Sequence, residues 1–212
     1  MIIQMKMIMK KLALVIALSA VGSTAAWATT HAEVGDAGQT LGTAQMLAGG
    51  TTAITGSLSS DADLFGFAWG GGAFYADTLG SAFDTQLFLF NSAGAGVWAN
   101  DDGLSGLRSY ISDAALAVGT YYLGISSFNN DPVSASGVMF TSYPYGPQYA
   151  PLYPGETLSS WTGGYSGGSY IINFRSASGE VVQTGDVPEP ASLALIGLGL
   201  AGLAFSRKRK AA

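Results

Sequence analysis

The middle of the chain consists of short runs in which large and small residues alternate, separated by turns rich in Gly, Asn and Asp. In the clearest run, 61–69, Phe65, Phe67 and Trp69 alternate with Gly or Ala. This period of two is typical of a β-strand with one heavy face turned inward. Further strands are predicted at 73–79, 86–90, 97–100, 109–116, 119–127 and 169–181. Since no βαβ pattern occurs, the chain is predicted to be all-β, an antiparallel sandwich or barrel.

The first 28 residues have the pattern of a secretory signal peptide. Three lysines precede an apolar stretch at 12–21, and Ala26 and Ala28 place small residues at the −3 and −1 positions of a cleavage site. We therefore predict a signal helix over 1–28, handled by the Sec translocon and by signal peptidase, with cleavage after Ala28. The alternative is a permanent N-terminal anchor helix.

Charge is distributed very unevenly along the chain. Within 29–187 the only basic residues, His aside, are Arg108 and Arg175, against 13 acidic ones. Such an acidic domain does not bind nucleic acid through counterion release, but it attracts cations such as calcium. The chain has no Cys, so an exported domain here has no disulfide to stabilise it.

Two motif matches lack the context that catalysis or nucleotide binding requires. The segment 164–168 reads G-x-S-x-G, but the only histidine, His31, lies upstream of Ser166 rather than downstream. The segment 197–202 reads G-x-G-x-x-G, but no acidic residue follows it. With one His and no Cys, the residue types argue against a His general base or a Cys nucleophile. They leave a glycosidase with paired carboxylates as an alternative, but nothing else in the sequence suggests one, and the protein is predicted not to be an enzyme.

Several aspartates stand at predicted strand ends. Asp84 precedes one strand, and Asp101 and Asp102 occupy a turn closed by a glycine. Calcium takes six to eight oxygen ligands from carboxylates and carbonyls in loops. These three residues are therefore candidate calcium ligands, and the alternative is that they cap turns by bonding their own backbone. For Asp61 and Asp63 the turn-capping interpretation is favoured.

The segment 139–158 is rich in Tyr and Pro and interrupts the strand pattern. Prolines at this density exclude a central strand or a helix, so a long loop is predicted. Its tyrosines could stack on sugar rings or contact a protein partner, or they could pack the loop onto its own sandwich. The candidate ligand contacts are Tyr143, Tyr145, Tyr149 and Tyr153.

The stretch 33–127 resembles the bacterial pre-peptidase C-terminal (PPC) domain. The resemblance lies in EVGDAGQTLGTAQ, ITGSLSSDADLFGF, FDTQLFLFNSAGAGVWANDDG and GTYYLGIS, in the order and spacing of that family. It implies a jelly-roll-like β-sandwich, predicted here as a domain over 29–185. Family members are often accessory modules beside secreted peptidases, and some bind calcium or extracellular polymers. This chain has no attached peptidase and carries the additional Tyr/Pro segment.

The last 27 residues, 186–212, resemble a PEP-CTERM sorting signal. Pro188, Glu189 and Pro190 precede an apolar stretch at 191–205 and four cations, Arg207, Lys208, Arg209 and Lys210. The resemblance implies recognition and cleavage by exosortase in a Gram-negative bacterium that makes exopolysaccharide.

As a helix the apolar stretch would measure about 22 Å, short of the roughly 30 Å hydrocarbon core, while the cations hold that end in the cytoplasm. A short transmembrane helix is therefore predicted, and a permanent anchor without cleavage is the alternative.

Together these features predict an exported, non-enzymatic protein of the cell surface or extracellular matrix. It passes through an inner-membrane intermediate and is cut by exosortase at the PEP motif. The expected role is structural or adhesive in exopolysaccharide or biofilm. The alternative is a carbohydrate-binding module or an accessory domain of a secreted hydrolase system.

Overall fold

The computed structural model describes residues 29–103, 106–141 and 148–176, which contain strands and no helix. None of the described segments forms a helix suited to crossing a bilayer. The predicted signal peptide, membrane segment and sorting motif lie outside the described residues. The strands are β1 (Thr29–Ala32), β2 (Gln45–Met46), β3 (Thr51–Ser57), β4 (Ala62–Trp69), β5 (Gly72–Asp77), β6 (Thr85–Asn91), β7 (Gly96–Asn100), β8 (Tyr110–Leu116), β9 (Gly119–Ser127), β10 (Pro132–Ser134), β11 (Gly137–Val138), β12 (Ser160–Trp161) and β13 (Ser169–Ser176).

Two five-stranded sheets form the sandwich, which confirms the predicted all-β class. One sheet has the order β1-β3-β13-β5-β8 and the other β2-β4-β9-β6-β7. Pairing is antiparallel except at two edges, where β1 lies parallel to β3 and β2 lies parallel to β4. These exceptions arise because the chain alternates between the sheets from β1 to β4, and a parallel neighbour requires such a crossover connection.

The main core lies between the two sheets. Phe65, Phe67 and Leu123 from one sheet pack against Phe74 and Ile172 from the other, and all five side chains are buried. The rings of Phe67 and Phe74 are stacked with centroids 5.7 Å apart. The large residues of the period-two runs thus form the inward face that the sequence predicts.

Strand β6 is buried on both faces, which explains its nearly continuous apolar sequence. Leu87 and Leu89 face the main core, while Phe88 and Phe90 enter a second cluster on the outer side of the sheet. The segment that follows β9 covers this outer face. It contributes Met139 and Phe140, together with the flanking Trp161.

The Tyr/Pro segment is therefore part of the folded domain where it is described. Strands β10, β11 and β12 flank it as a small three-stranded sheet. The Trp161 indole Nε1 donates a hydrogen bond to the Gln39 carbonyl at 2.8 Å, which ties this sheet to the loop before β2.

Candidate metal centre

Strand pairing brings Asp84, Asp101 and Asp102 together. Asp84 directly precedes β6, and the other two directly follow β7. Because β6 and β7 pair antiparallel, the start of one lies beside the end of the other. One carboxylate oxygen from each residue lies within 4.8 Å of the other two. The carbonyl of Asp84 accepts a hydrogen bond from the Phe128 N–H at 3.1 Å, which fixes this residue against the end of β9.

Hydrogen bonds also fix the backbone of the two aspartates after β7. The carbonyl of Asp101 accepts a bond from the Ser109 hydroxyl at 2.5 Å, and that of Asp102 accepts one from the Asn100 side-chain amide at 3.4 Å. The backbone of the turn is therefore positioned by neighbours that leave the carboxylates unused.

The loop that follows is closed by a second set of bonds. The Gly103 N–H donates to the Arg108 carbonyl at 2.8 Å, and a Cβ at position 103 would lie 2.5 Å from that oxygen. Ser109 then connects the two sheets. Its N–H donates to the Thr78 hydroxyl at 2.9 Å, and its hydroxyl lies against the Thr85 carbonyl as well as that of Asp101, between which its one proton is shared. At position 103 only a glycine fits, because the Arg108 carbonyl approaches the backbone so closely.

Four of the six carboxylate oxygens lack a hydrogen-bond partner in the described part of the protein. Both oxygens of Asp101 and the Oδ1 atoms of Asp84 and Asp102 are buried without a hydrogen bond. Asp101 is 4% exposed and Asp102 is 5% exposed, while Asp84 is half-buried. Buried polar groups are nearly always hydrogen-bonded, and a buried unpaired carboxylate is costly. Four oxygens in this state within one small cluster are therefore a clear departure from ordinary packing.

The pKa values of the three carboxyl groups are raised, as expected for carboxylates whose buried oxygens lack partners. Burial raises the pKa of Asp101 to about 7, with further contributions from Asp102, Asp84 and Asp131. Burial and the charge of Asp102 raise the pKa of Asp84, against the opposing effect of Arg108. Burial also raises the pKa of Asp102. The site therefore resists holding three negative charges unless a positive charge joins them.

A second carboxylate group, at the start of β4, differs in its hydrogen bonding. Glu33, Asp36 and Asp63 also have carboxylate oxygens within 4.8 Å of one another. The two oxygens of Glu33, however, accept bonds from the backbone N–H groups of Ala37 and Ser57, each at 3.0 Å. The Glu33 carboxylate therefore stabilises the backbone at Ala37 and at Ser57, the last residue of β3.

Asp63 does not cap a turn, so the favoured interpretation of this residue was wrong. It lies within β4, is 1% exposed, and accepts a hydrogen bond from the Tyr170 hydroxyl at 2.7 Å. Burial raises its pKa to about 8; the Tyr170 bond opposes this shift, and Glu33 and Asp61 add to it. Burial and the adjacent Asp63 in turn raise the pKa of Tyr170.

The candidate ligand tyrosines fall into two groups. Tyr143 and Tyr145 lie outside the described residues. Tyr149 is half-buried and its backbone forms a bridge with Ala99 of β7, whereas Tyr153 is 38% exposed. Of the described pair, Tyr153 has the ring more accessible to a ligand.

Ser166 has no catalytic arrangement among the described residues. It is exposed in the loop before β13. The His31 ring Nε2 is instead within hydrogen-bonding distance, 3.1 Å, of the Gln45 side-chain oxygen. The predicted signal-cleavage residues Ala26 and Ala28 lie outside the described ranges.

Comparisons with known proteins give a match to a family model and similarity to solved structures. The model of the PEP-CTERM protein-sorting motif matches residues 186–210. No curated protein matches the chain. Among solved structures, the chain is similar to the pre-peptidase C-terminal domain of collagenase from Bacillus anthracis, with 12% identity, a TM-score of 0.34, and coverage of 69% of this chain and 95% of that one.

The family match confirms the prediction made from the tail. It spans Pro188, Glu189 and Pro190, the apolar stretch and the four cations at 207–210. The motif implies export and processing by exosortase. The chain therefore carries a PEP-CTERM protein-sorting motif at residues 186–210, on an exported protein with an all-β sandwich fold.

Proposed function

We propose that this protein is a non-catalytic component of the cell surface or extracellular matrix, released to its destination by cleavage near Pro188-Glu189-Pro190. The observation that carries the proposal is the sorting motif at 186–210. Its work outside the cell is structural or adhesive, in exopolysaccharide or biofilm. The acidic domain, with no lysine in 29–187, suits a soluble exported protein.

The order of signals along the chain supports a transient stay in the inner membrane. The N-terminal signal sends the domain through the Sec translocon, and signal peptidase removes it after Ala28. The apolar stretch at 191–205 then halts in the bilayer, with its four cations on the cytoplasmic side. Pro188 and Pro190 interrupt helix on the outer side, which leaves an extended peptide that exosortase can grip.

The proposal is tested by the intact mass of the protein that cells of the native host export, recovered from outside those cells. We expect a mass that corresponds to Thr29 through a residue near Val187, because both signals are removed. A variant with Pro188, Glu189 and Pro190 all changed to Ala keeps the apolar stretch and the cations, and serves as the matched control. It should stay in the membrane fraction with Ala212 present. Release of this variant at the same rate as the wild type would contradict the proposal.

An adhesive role predicts binding to the polysaccharide of the native host. A pull-down with that polysaccharide should retain the exported protein, and Tyr153→Ala should weaken retention. Tyr165→Ala is the control, because Tyr165 is also exposed but lies in the loop before β13. Hydrolysis of the polysaccharide without retention would instead favour the hydrolase-associated alternative.

A further inference from the structure

We propose that Asp84, Asp101 and Asp102 form a calcium-binding site at the end of the sandwich where the chain passes from β7 to β8. This inference is independent of the proposed function, since the site lies wholly within the folded domain. It rests on two separate observations: the geometry of the three carboxylates and the hydrogen-bonding state of their oxygens.

The geometry provides a convergent set of oxygens. The three residues come from two chain segments 17 positions apart, and one carboxylate oxygen from each lies within 4.8 Å of the other two. The main-chain bonds of Asp101 and Asp102 are made to Ser109 and Asn100, so the turn keeps its shape without using the carboxylates. A site prepared in this way loses little conformational freedom when an ion binds.

The oxygen atoms provide the second observation. Asp101 is more than nine-tenths buried, and neither of its carboxylate oxygens has a hydrogen-bond partner within the described ranges. In a structural acid cluster these oxygens would accept bonds from nearby N–H groups, as the oxygens of Glu33 do. A cation is the partner that would satisfy several such oxygens at once.

The nearest basic side chain does not fill this role. Arg108 uses its Nη1 atom to donate to the carbonyls of Phe83 and Leu107, at 2.6 and 3.0 Å. It thus braces the loop backbone on both sides of the cluster. Its charge opposes the rise in the pKa of Asp84.

The donor set selects calcium among the common ions. Three carboxylates offer up to six oxygens, and calcium takes six to eight at about 2.3–2.6 Å in a flexible geometry. Zinc in structural sites favours Cys and His, and the chain has no Cys and its only His is in β1. Magnesium demands a near-ideal octahedron and keeps several waters, which suits a buried cluster poorly.

Calcium at this position would connect three strands. Asp84 leads into β6, Asp101 and Asp102 directly follow β7, and the chain then continues to β8 in the opposite sheet. Binding would therefore stabilise the crossing between the two sheets. Calcium sites of extracellular modules have dissociation constants of about 10⁻⁴–10⁻³ M, and we expect this range here.

Calorimetry and thermal melting of the exported protein, first treated with EDTA, test the proposal. Titration with calcium chloride should give a saturable isotherm. Calcium at about 100 times the dissociation constant should raise the melting temperature by about 5–10 °C. Magnesium chloride at the same concentration should raise it much less. The absence of both the isotherm and the melting shift with calcium would overturn the proposal.

Variants locate the site. Asp101→Asn should abolish the melting shift, since it removes the carboxylate with two unpartnered oxygens. Should that variant fail to fold, Asp84→Asn provides the same test at a half-buried position. We expect it to raise the dissociation constant for calcium at least tenfold. Asp36→Asn is the matched control, because it makes the same chemical change at the other carboxylate group. A calcium response that is lost in Asp36→Asn and kept in Asp101→Asn or Asp84→Asn would overturn the assignment.

Discussion

Asp63 imposes a pH-dependent cost on the fold that a single substitution should remove. The residue is 1% exposed near the start of β4, and burial raises its pKa from an ordinary value of 3.8 to about 8. A carboxyl group with a raised native pKa binds more protons in the folded state than in the unfolded state. The free energy of unfolding should therefore fall as the pH rises from about 4 to about 8. Replacing Asp63 with Asn should abolish this part of the fall.

The magnitude follows from the two pKa values. The ordinary pKa of 3.8 lies about three units below pH 7, so Asp63 is ionised in the unfolded chain at this pH. In the folded chain, with a pKa of about 8, it stays largely protonated. Each pH unit corresponds to about 1.4 kcal/mol, which gives an upper bound of about 4 kcal/mol. Asparagine has nearly the same shape, and its carbonyl oxygen can still accept the bond from Tyr170. Asp63→Asn should therefore raise the melting temperature at pH 7 by about 5–15 °C and change it little at pH 4.

The assay is thermal unfolding of wild type and variant at intervals between pH 4 and pH 8, with EDTA present. The two curves should coincide near pH 4 and diverge steadily above it. Asp36→Asn is the control, because it makes the same chemical change in the same carboxylate group at an exposed position. Parallel curves for wild type and Asp63→Asn across this range would refute the reasoning, as would a variant that loses stability at pH 7.

Three other substitutions test separate parts of the structure. Tyr170→Phe removes the bond that lowers the pKa of Asp63, so carboxyl NMR should find that pKa higher still, and an unchanged value would contradict the arrangement. Trp69→Phe should alter the free energy of unfolding by no more than about 1 kcal/mol in denaturant titrations, because loss of a buried, unpartnered indole N–H offsets lost apolar area. A loss of 3 kcal/mol or more would indicate an undetected partner. Gly96→Ala places a Cβ 2.6 Å from the Phe140 ring and should cost about 1–3 kcal/mol, and a neutral effect would mean that this ring shifts freely.

The strands with large residues could be predicted from the sequence, whereas the strands with small residues could not. The run 119–127 coincides with β9, because it is rich in aromatic and β-branched residues and is bounded by turn residues. Strand β3 was missed because TTAITGS contains one large apolar residue, Ile54. Its strand character comes from its neighbours: it pairs with β1 on one side and β13 on the other. Tertiary pairing of this kind leaves little trace in local sequence.

The two carboxylate groups also differ in how far the sequence could predict them. Asp84, Asp101 and Asp102 could be selected from sequence because they stand at the two ends of a predicted hairpin, where antiparallel pairing brings strand ends together. The contact between Asp63 and Tyr170 joins residues 107 positions apart, on different sheets, and no local pattern indicates it.

The difference between the groups also bears on how this domain is stabilised. Because the chain has no cysteine, no disulfide links the two sheets, and non-covalent contacts hold them together. Near Asp63 the crossing is held by direct bonds, from Tyr170 to Asp63 and from backbone N–H groups to Glu33. After β7 the backbone groups of Asp101 and Gly103 are also bonded, but four carboxylate oxygens of the cluster have no hydrogen-bond partner among the described residues. A fold that leaves such costly groups unpaired gains most from an ion supplied by its surroundings. Stability that rises with calcium outside the cell is therefore the expected property of this end of the sandwich.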